Sequence, residues 1–239
     1  MKGLILAAGI GSRLGQPYPK PLIMLANGQT IMERQVEALA ECIGVDQILV
    51  VVGFKKELVM ESFPRLAYVY NEYFDTTNTS KSLLSGLRKL QGHNVVWMNG
   101  DVVFDPRVID RVIGSPGSCM AVNMACVGDE EVKYLTNGGG YITEVSKDVK
   151  GGIGESLGVN KVAAEHVSLL IKHLEACSDM DYFEKAVEMA IADGLRICPV
   201  DVSDLICREV DFVEDLVSIN QQLQEGIIQG REVAREANH

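Results

Sequence analysis

The chain has 239 residues, 47% apolar and 23% charged, the balance of an ordinary soluble protein built around one sizeable core. That balance excludes disorder, collagen-like repeats and low-complexity sequence. A net charge of -11 excludes a bulk nucleic-acid binder, and an acidic chain that handles phosphate needs placed cations, backbone N–H groups or a metal.

No stretch reaches the ~18 consecutive apolar residues of a membrane span. The opening Met1 to Gly9 resembles a signal peptide only weakly, because its apolar run is short and meets Gly-Ile-Gly-Ser-Arg at once. Six cysteines (Cys42, Cys119, Cys126, Cys177, Cys198, Cys207) are scattered without a C-x-x-C pair. They read as buried thiols of a reducing cytoplasm, and four dispersed histidines make no zinc cluster. The reading is a cytoplasmic protein without membrane or nucleic-acid partners.

In chain order, Lys2 to Ala7 is a short apolar run, the mark of a buried parallel strand. Thr30 to Ile43 predicts a helix, with a capping box at Thr30 and Glu33 and an apolar face of Ile31, Val36, Leu39, Ala40 and Ile43. Gln47 to Val52, Ala67 to Asn71 and Asn94 to Met98 predict strands, separated by helices at Lys56 to Phe63 and Thr79 to Leu90. This alternation argues for a doubly wound, mostly parallel α/β sheet, whose ligands bind at the carboxyl ends of the strands. Further on, Cys119 to Val127 predicts a strand, and Val132 to Val145 a hairpin turning at Asn137-Gly138-Gly139-Gly140. Gly154 to Val162 is extended, Ala163 to Cys177 and Asp181 to Asp193 are helical, and Leu195 to Val200 is a strand. Phe212 to Glu225 is a last helix with Phe212, Leu216, Ile219 and Leu223 on one side. The expected organisation is one domain over 1–230, with an insertion around 128–155 and a polar tail at 231–239.

The segment Leu6 to Gly15 followed by Pro19-Lys20-Pro21-Leu22 is the most informative. Gly9 and Gly11 let the backbone approach a ligand, and successive N–H groups in such a loop cradle phosphate. Arg13 and Lys20 add two fixed cations suited to a triphosphate. It is neither a Walker loop, which needs Gly-Lys-Ser/Thr, nor the dinucleotide fingerprint, which needs a third glycine and an immediate helix. Asn99-Gly100-Asp101 ends an apolar strand, and a carboxylate there suits Mg²⁺, which takes one or two carboxylates beside substrate phosphates. Thr76 to Ser80, including Thr77, Asn78 and Ser80, precedes a helix and offers neutral hydrogen-bonding groups for a base.

The loop, Leu-x-Ala-Gly-x-Gly-x-Arg-Leu with Pro-Lys-Pro-Leu behind it, resembles the signature of the nucleotidylyltransferases, which couple a nucleoside triphosphate to a phosphorylated sugar or alcohol. The resemblance implies a Rossmann-like, glycosyltransferase-A-like sheet with a small acceptor-binding hairpin or helical insertion. It places the nucleotide against Leu6, Ala7, Ala8, Gly9, Gly11, Ser12, Arg13, Lys20, Thr77, Asn78, Ser80 and Asn99, with Arg13, Lys20 and Asp101 as catalytic residues. Glu209-Val210-Asp211-Phe212-Val213-Glu214-Asp215-Leu216 resembles the family's Glu-Ile-Asp-x-x-Glu-Asp-Leu segment, which implies that Asp211 is the second Mg²⁺ ligand beside Asp101. Asp211 equally suits the N-cap of the last helix, and Glu214 and Asp215 suit its dipole. Since Asp101 and Asp211 both stand at strand ends, the carboxyl edge of the sheet is expected to bring them together.

Asn71-x-x-Phe/Tyr followed by Thr77-Asn78-x-Ser80 and Ser82-Leu83 resembles the branch acting on phosphocholine, aminoethylphosphonate and related small phospho-compounds, which implies CTP. In that branch Asn71, Lys133, Lys147 and Glu155 would meet the acceptor, the lysines at its phosphate or phosphonate and Glu155 at a hydroxyl or ammonium. Two departures bear on the acceptor: Cys207-Arg208 stands where Trp or Tyr often precedes the acidic segment, and three glycines interrupt the Lys133 to Lys147 arm. The expectation is an Mg²⁺-dependent cytidylyltransferase for a small phosphorylated alcohol or phosphonate, with which a homodimer is compatible. Its rivals are a sugar-1-phosphate enzyme using UTP, dTTP, GTP or CTP, a non-catalytic nucleotide sensor, and, more remotely, an NAD(P)-binding protein.

Overall fold

The computed structural model describes residues 1–11, 14–15, 17–124 and 131–225. The chain opens with β1 (Lys2–Ala7), buried from Gly3 onward. The helix α1 (Ile31–Ile43) starts at the capping box, where the Glu33 N–H donates to Thr30 Oγ1 at 3.1 Å and the Thr30 N–H to Glu33 Oε2 at 2.6 Å. It ends at Gly44, whose φ of 84° is a left-handed stop. Its buried side is Ile31, Met32, Arg34, Gln35, Ala38 and Leu39, with Val36, Ala40 and Ile43 packed at the margin, so the apolar stripe is turned toward Gln35.

The series continues with β2 (Ile48–Val52), α2 (Lys56–Ser62), β3 (Ala67–Tyr70), α3 (Thr79–Leu87) and β4 (Val95–Asn99). All were expected, but α3 stops three residues early and Leu90 packs into the core from the turn beyond. The strand β5 (Val102–Phe104) and helix α4 (Arg107–Gly114) were not expected. The signal for α4 is Val108, Ile109 and Val112, one buried face among charged neighbours. β6 (Ser118–Asn123), the hairpin β7 (Lys133–Thr136) and β8 (Ile142–Ser146), and β9 (Gly154–Val162) follow. The remainder is α5 (Ala164–Ala176), α6 (Phe183–Ala192), β10 (Ile197–Asp201), β11 (Cys207–Glu209) and α7 (Val213–Gln224).

The main sheet runs β10-β6-β9-β4-β1-β2-β3, with the β7–β8 hairpin attached to β9. β3, β2, β1 and β4 are mutually parallel, as are β6 and β10, whereas β9 runs antiparallel to both of its neighbours β4 and β6. The path from β10 to β3 is therefore mainly parallel, with β9 reversed between β6 and β4. Side chains of α3, α5 and α6 cover one face. α1, α2 and α4 cover the other. This is the doubly wound arrangement expected from the alternation. Phe212 is the exception in the C-terminal helix: it precedes α7 and is 52% exposed, while Ile219 is the buried residue.

Among the described residues no helix is long and apolar enough to cross a membrane. None of the five described cysteines is in a disulfide; Cys119, Cys177 and Cys207 are buried, Cys42 and Cys198 partly so. Cys126 and the tail lie outside the described residues.

The end of β2 passes so close to the loop after β1 that a Cβ on Gly53 would stand 2.5 Å from the Ala8 carbonyl oxygen and 2.5 Å from Phe74 Cβ. Gly53→Ala should therefore cost ~1–3 kcal/mol as overpacking. At ~2–4 °C per kcal/mol for a chain this size, calorimetry should show a melting temperature several degrees lower. An unchanged melting temperature would contradict the close approach.

Candidate active site

The site grows from the carboxyl ends of β1 and β4, where Leu6 lies opposite Asn99. Beyond Asn99 the chain turns through Gly100, whose N–H donates to the Leu6 carbonyl at 2.9 Å. A Cβ on Gly100 would stand 2.8 Å from that oxygen, so glycine alone lets the turn lie this close. Gln35 of α1, 1% exposed, donates from Nε2 to the carbonyls of Asn99 (2.9 Å) and Val102 (2.8 Å). The turn carrying Asp101 is thereby pinned on both sides.

Asp211 reaches the same place by a route other than the edge of the main sheet. β11 pairs with β5 in a separate antiparallel ribbon, with Val102 opposite Glu209 and Phe104 opposite Cys207. The Val210 N–H donates to the Asp101 carbonyl at 3.0 Å, so Asp101 and Asp211 leave the ribbon side by side. Asp211 is not the N-cap of α7 either. That position belongs to Phe212, and Asp215 reaches back to accept from the N–H groups of Asp211 (3.0 Å) and Phe212 (2.8 Å). Asp215 thus fixes the local chain as well as facing the helix dipole.

The two carboxylates converge on Lys20. Its Nζ donates to Asp101 Oδ2 at 3.1 Å and also to Asp211 Oδ1. Lys20 opens a short 3₁₀ turn between Pro19 and Pro21, and its stem is covered by the glycine loop. Gly11, at φ 65°, lies so near that a Cβ there would meet Lys20 Cγ at 2.5 Å. Burial by itself would lower the Lys20 pKa, but Asp101 and Asp211 more than reverse this and raise it.

Two carboxylates aimed at one cationic position form a hard-oxygen donor set. Such a set fits Mg²⁺, which completes its shell with water and phosphate oxygens rather than a protein cage. Among the described residues no group of three or more His, Cys, Asp or Glu side chains forms a metal-binding cluster.

A third carboxylate, Glu209, borders the pair and accepts from Asn99 Nδ2 at 2.7 Å. Gly158 of β9, at φ 71°, makes room for it, since a Cβ there would be 2.9 Å from Glu209 Oε1. Glu209 is exposed at its surface, but crowding of its carboxyl by neighbouring atoms, then the charges of Asp101, Glu184 and Asp211, raise its pKa, while Asn99 opposes the rise. Glu184, in the first turn of α6, is 8% exposed, and its Oε2 has no hydrogen-bond partner among the described residues. Burial pushes its pKa up to about 7, against its own backbone N–H and the charge of Lys147.

The other expected residues are spread around this centre. Leu6, Ala7 and Ala8 are buried at the end of β1, and Gly9 is exposed beyond them. Ser12 and Arg13 lie outside the described residues. Thr77 donates to the Tyr73 carbonyl at 2.6 Å, Asn78 caps α3, and Ser80 is fully buried with no partner for its Oγ among the described residues. Asn71 uses its amide to tie the loop, donating to Thr77 Oγ1 and Ser82 Oγ and accepting from the Tyr73 N–H. Lys133 and Glu155 lie opposite each other between β7 and β9, and Glu155 accepts from Asn123 Nδ2 at 3.1 Å. Lys147 follows β8 and sets its Nζ 5.7 Å from the centre of the Tyr182 ring.

The fold, the glycine loop and the carboxylates at its mouth define an α/β protein of the nucleotidyltransferase class. The chain belongs to the family described as the MobA-like NTP transferase domain, whose model matches residues 3–147. CMP-5'-(3-aminopropyl)phosphonate synthase of Streptomyces rubellomurinus is 30% identical over 234 residues, covering 88% of this chain and 37% of that protein. The chain thus spans little more than a third of that relative's length. Solved structures also share the fold. CTP:phosphocholine cytidylyltransferase of Streptococcus pneumoniae matches 93% of this chain and 98% of its own, with a TM-score of 0.74 and 19% identity. The inositol-1-phosphate CTP transferase of T. maritima matches 95% and 97%, with a TM-score of 0.77 and 17% identity.

Gln35, Glu184 and Glu209 were not foreseen. Glu209 and Asp211 are two apart in an extended segment, a spacing that puts both on one face. Gln35 sits four residues after Ile31 and four before Leu39, a polar residue in a core stripe. Glu184 looks like an ordinary acidic first-turn residue and carries no such signal.

The folded protein keeps on Glu184 a proton that the unfolded chain releases near pH ~4.3. Its contribution to stability is full below that pH and is lost as pH rises through about 7. Glu184→Gln should melt above the wild type at pH 8, with the gap closing toward pH 4.5. A difference between the two proteins that does not vary with pH would refute the burial of a titrating group.

Proposed function

We propose that the chain transfers a cytidylyl group from CTP to a small phosphonate or phosphorylated alcohol, with release of pyrophosphate. The observation that carries this reading is the meeting of Lys20, Asp101 and Asp211 at the mouth of the glycine loop. The family membership and the similarity to the phosphonate synthase support CTP and a small acceptor.

In this reading the backbone of Ala8, Gly9 and Gly11 cradles the triphosphate, and Arg13 and Lys20 balance its charge. Thr77, Asn78, Ser80 and Asn99 flank the nucleoside. Asp101 and Asp211 would hold Mg²⁺, which when bound neutralises phosphate oxygens. Lys133 and Lys147 draw the acceptor's phosphoryl group toward the nucleotide. An acceptor oxygen bonds to the α-phosphorus as the bond from that phosphorus to the bridging oxygen of the leaving pyrophosphate breaks, in line. The attacking oxygen is already ionised at neutral pH, so no general base is required. The protein's part is positioning and the neutralisation of charge that builds on the leaving group.

Pyrophosphate release measured with CTP, UTP, dTTP, GTP and ATP against phosphonate, phosphocholine and sugar-1-phosphate acceptors tests the assignment. CTP with a small phosphonate should be the best pair, and preference for UTP with a sugar phosphate would overturn it. Arg13→Ala and Lys20→Ala should each lower kcat/KM by ~100-fold or more. Asp101→Asn and Asp211→Asn should abolish turnover non-additively, because each disrupts the same site.

The bridging lysine gives a separate expectation that does not depend on activity. In the nucleotide-free protein its ammonium competes with a divalent ion for the same oxygens. Lys20→Met should therefore bind Mn²⁺ without nucleotide ~10-fold more tightly, equivalent to ~1.4 kcal/mol, in a calorimetric titration. Equal or weaker binding would show that the carboxylates do not form the cation site.

A further inference from the structure

Two thiols on one face of a sheet, in register, can be joined with little movement of the backbone. Cys198 of β10 lies directly opposite Cys119 of β6 in a parallel pair. Both side chains pack into the apolar cluster on the face covered by α1, α2 and α4. Neighbouring strands run about 4.8 Å apart, so register partners have their Cα atoms about that far from each other. This lies inside the ~4.4–6.8 Å that a disulfide spans between Cα atoms. Among the described residues it is the one strand register that sets cysteine against cysteine. The others stand apart: Cys42 donates to Asp110 Oδ1, Cys177 packs in the opposite cluster, and Cys207 donates to the Leu157 carbonyl.

The two thiols differ in a way that suits stepwise oxidation. Cys198 is partly exposed on the strand that ends the sheet path, whereas Cys119 is fully buried one strand further in. A soluble oxidant therefore meets Cys198 first. Cys119 Sγ donates to the Val112 carbonyl at 3.4 Å. On its other side Cys119 lies opposite Lys161 of β9, which is 4% exposed and whose ammonium donates to the carbonyls of Ile113 and Ser115. Burial raises the Cys119 pKa, and the Lys161 charge opposes the rise. A fixed cation beside a thiol favours the negative charge that sulfur takes on as its proton leaves. The row Cys198, Cys119, Lys161 thus sets an accessible thiol, a shielded thiol and a positive charge side by side.

We propose that Cys119 and Cys198 are a covalent modification site, joined by hydroperoxides into a reversible disulfide between β6 and β10. The inference does not depend on the reaction proposed above. The Cys198 thiolate attacks one peroxide oxygen, the O–O bond breaks, and a sulfenic acid forms with release of water or an alcohol. The Cys119 sulfur then bonds to that sulfur as its S–O bond breaks, and the Cys119 proton leaves with the hydroxyl as water. Overall each sulfur gives up one electron and the peroxide takes up two. Both Cβ atoms project from one face, so they start about as far apart as the strands and must draw in toward the ~3.5–4.5 Å of a disulfide. β10 has β6 as its one strand neighbour on the sheet path, which leaves it free to give. A bond made under such strain is readily reduced, so added thiol restores both cysteines.

The test is peptide mapping of the native protein after brief exposure to hydrogen peroxide, with the remaining thiols blocked by alkylation. The wild type should lose two thiols and gain a link between Cys119 and Cys198, and dithiothreitol should restore both thiols. Fragmentation of the linked tryptic peptides locates the sulfurs, since the same peptides carry Cys126 and Cys207. Cys198→Ser should abolish the link and leave Cys119 reduced. Cys119→Ser should halt Cys198 at the sulfenic acid, captured by dimedone, where the wild type shows little capture. Should the buried Cys119→Ser fail to melt cooperatively, the wild-type map and Cys198→Ser at the sheet edge decide alone. Thiols unchanged by peroxide, a link between other cysteines, or Cys198 oxidised to the sulfinic acid beside a reduced Cys119 would overturn the proposal.

Discussion

Two carboxylates pointing at one place repel each other, and most of this structure's local detail answers that fact. Without a cation between them, Asp101 and Asp211 would be driven apart or protonated. Lys20 supplies the cation from within the chain, and the glycine loop must close on its stem to keep it there. The loop that would carry a triphosphate and the carboxylates that would carry a metal are thus tied by one ammonium before any ligand arrives. A divalent ion and a phosphate chain would replace that tie with two stronger ones, the ion for the aspartates and the phosphates for the lysine.

Holding the aspartates in place is the task of close packing and of hydrogen bonds to the backbone. Gly100 lets the turn lie on β1, Gln35 clamps both of its ends from α1, and Asp215 fixes the backbone on which Asp211 sits. None of these side chains touches Lys20 in the contacts described above, yet each restricts where a carboxylate can go. Positioning of this kind works through packing and hydrogen bonds to the backbone, which act only at contact range.

The sequence made the parallel half of the fold legible because strands buried on both faces read as apolar runs and their helices carry caps and stripes. β1 and β9 have the bounds expected for them, and the capping box of α1 is present. What it did not show is pairing. Nothing in Gly154 to Val162 tells that this strand runs against its neighbours, since alternation is the same in either direction. Nor did the short run Val102 to Phe104 announce a strand, being three residues long. The aspartates were found from their motifs, but the ribbon that unites them is a long-range contact that local pattern does not encode. Glu184 was invisible for a related reason: an acidic residue in a first helical turn is normally solvated, and only tertiary packing buries it.

The ribbon of β5 and β11 also has a meaning for the order in which the molecule is built. Lys20 meets a residue 81 positions later and another 191 positions later. Contacts closing loops of that size form slowly, after the local β-α-β units have already collapsed. During synthesis the strands β1 to β4 can assemble while the last acidic segment is still inside the ribosome, leaving Lys20 and Asp101 a simple ion pair. The proposed cation site would come into being only when β11 docks. Competence to bind a divalent ion at this pair would then be a property of the finished chain, and its appearance during refolding would mark the closing step.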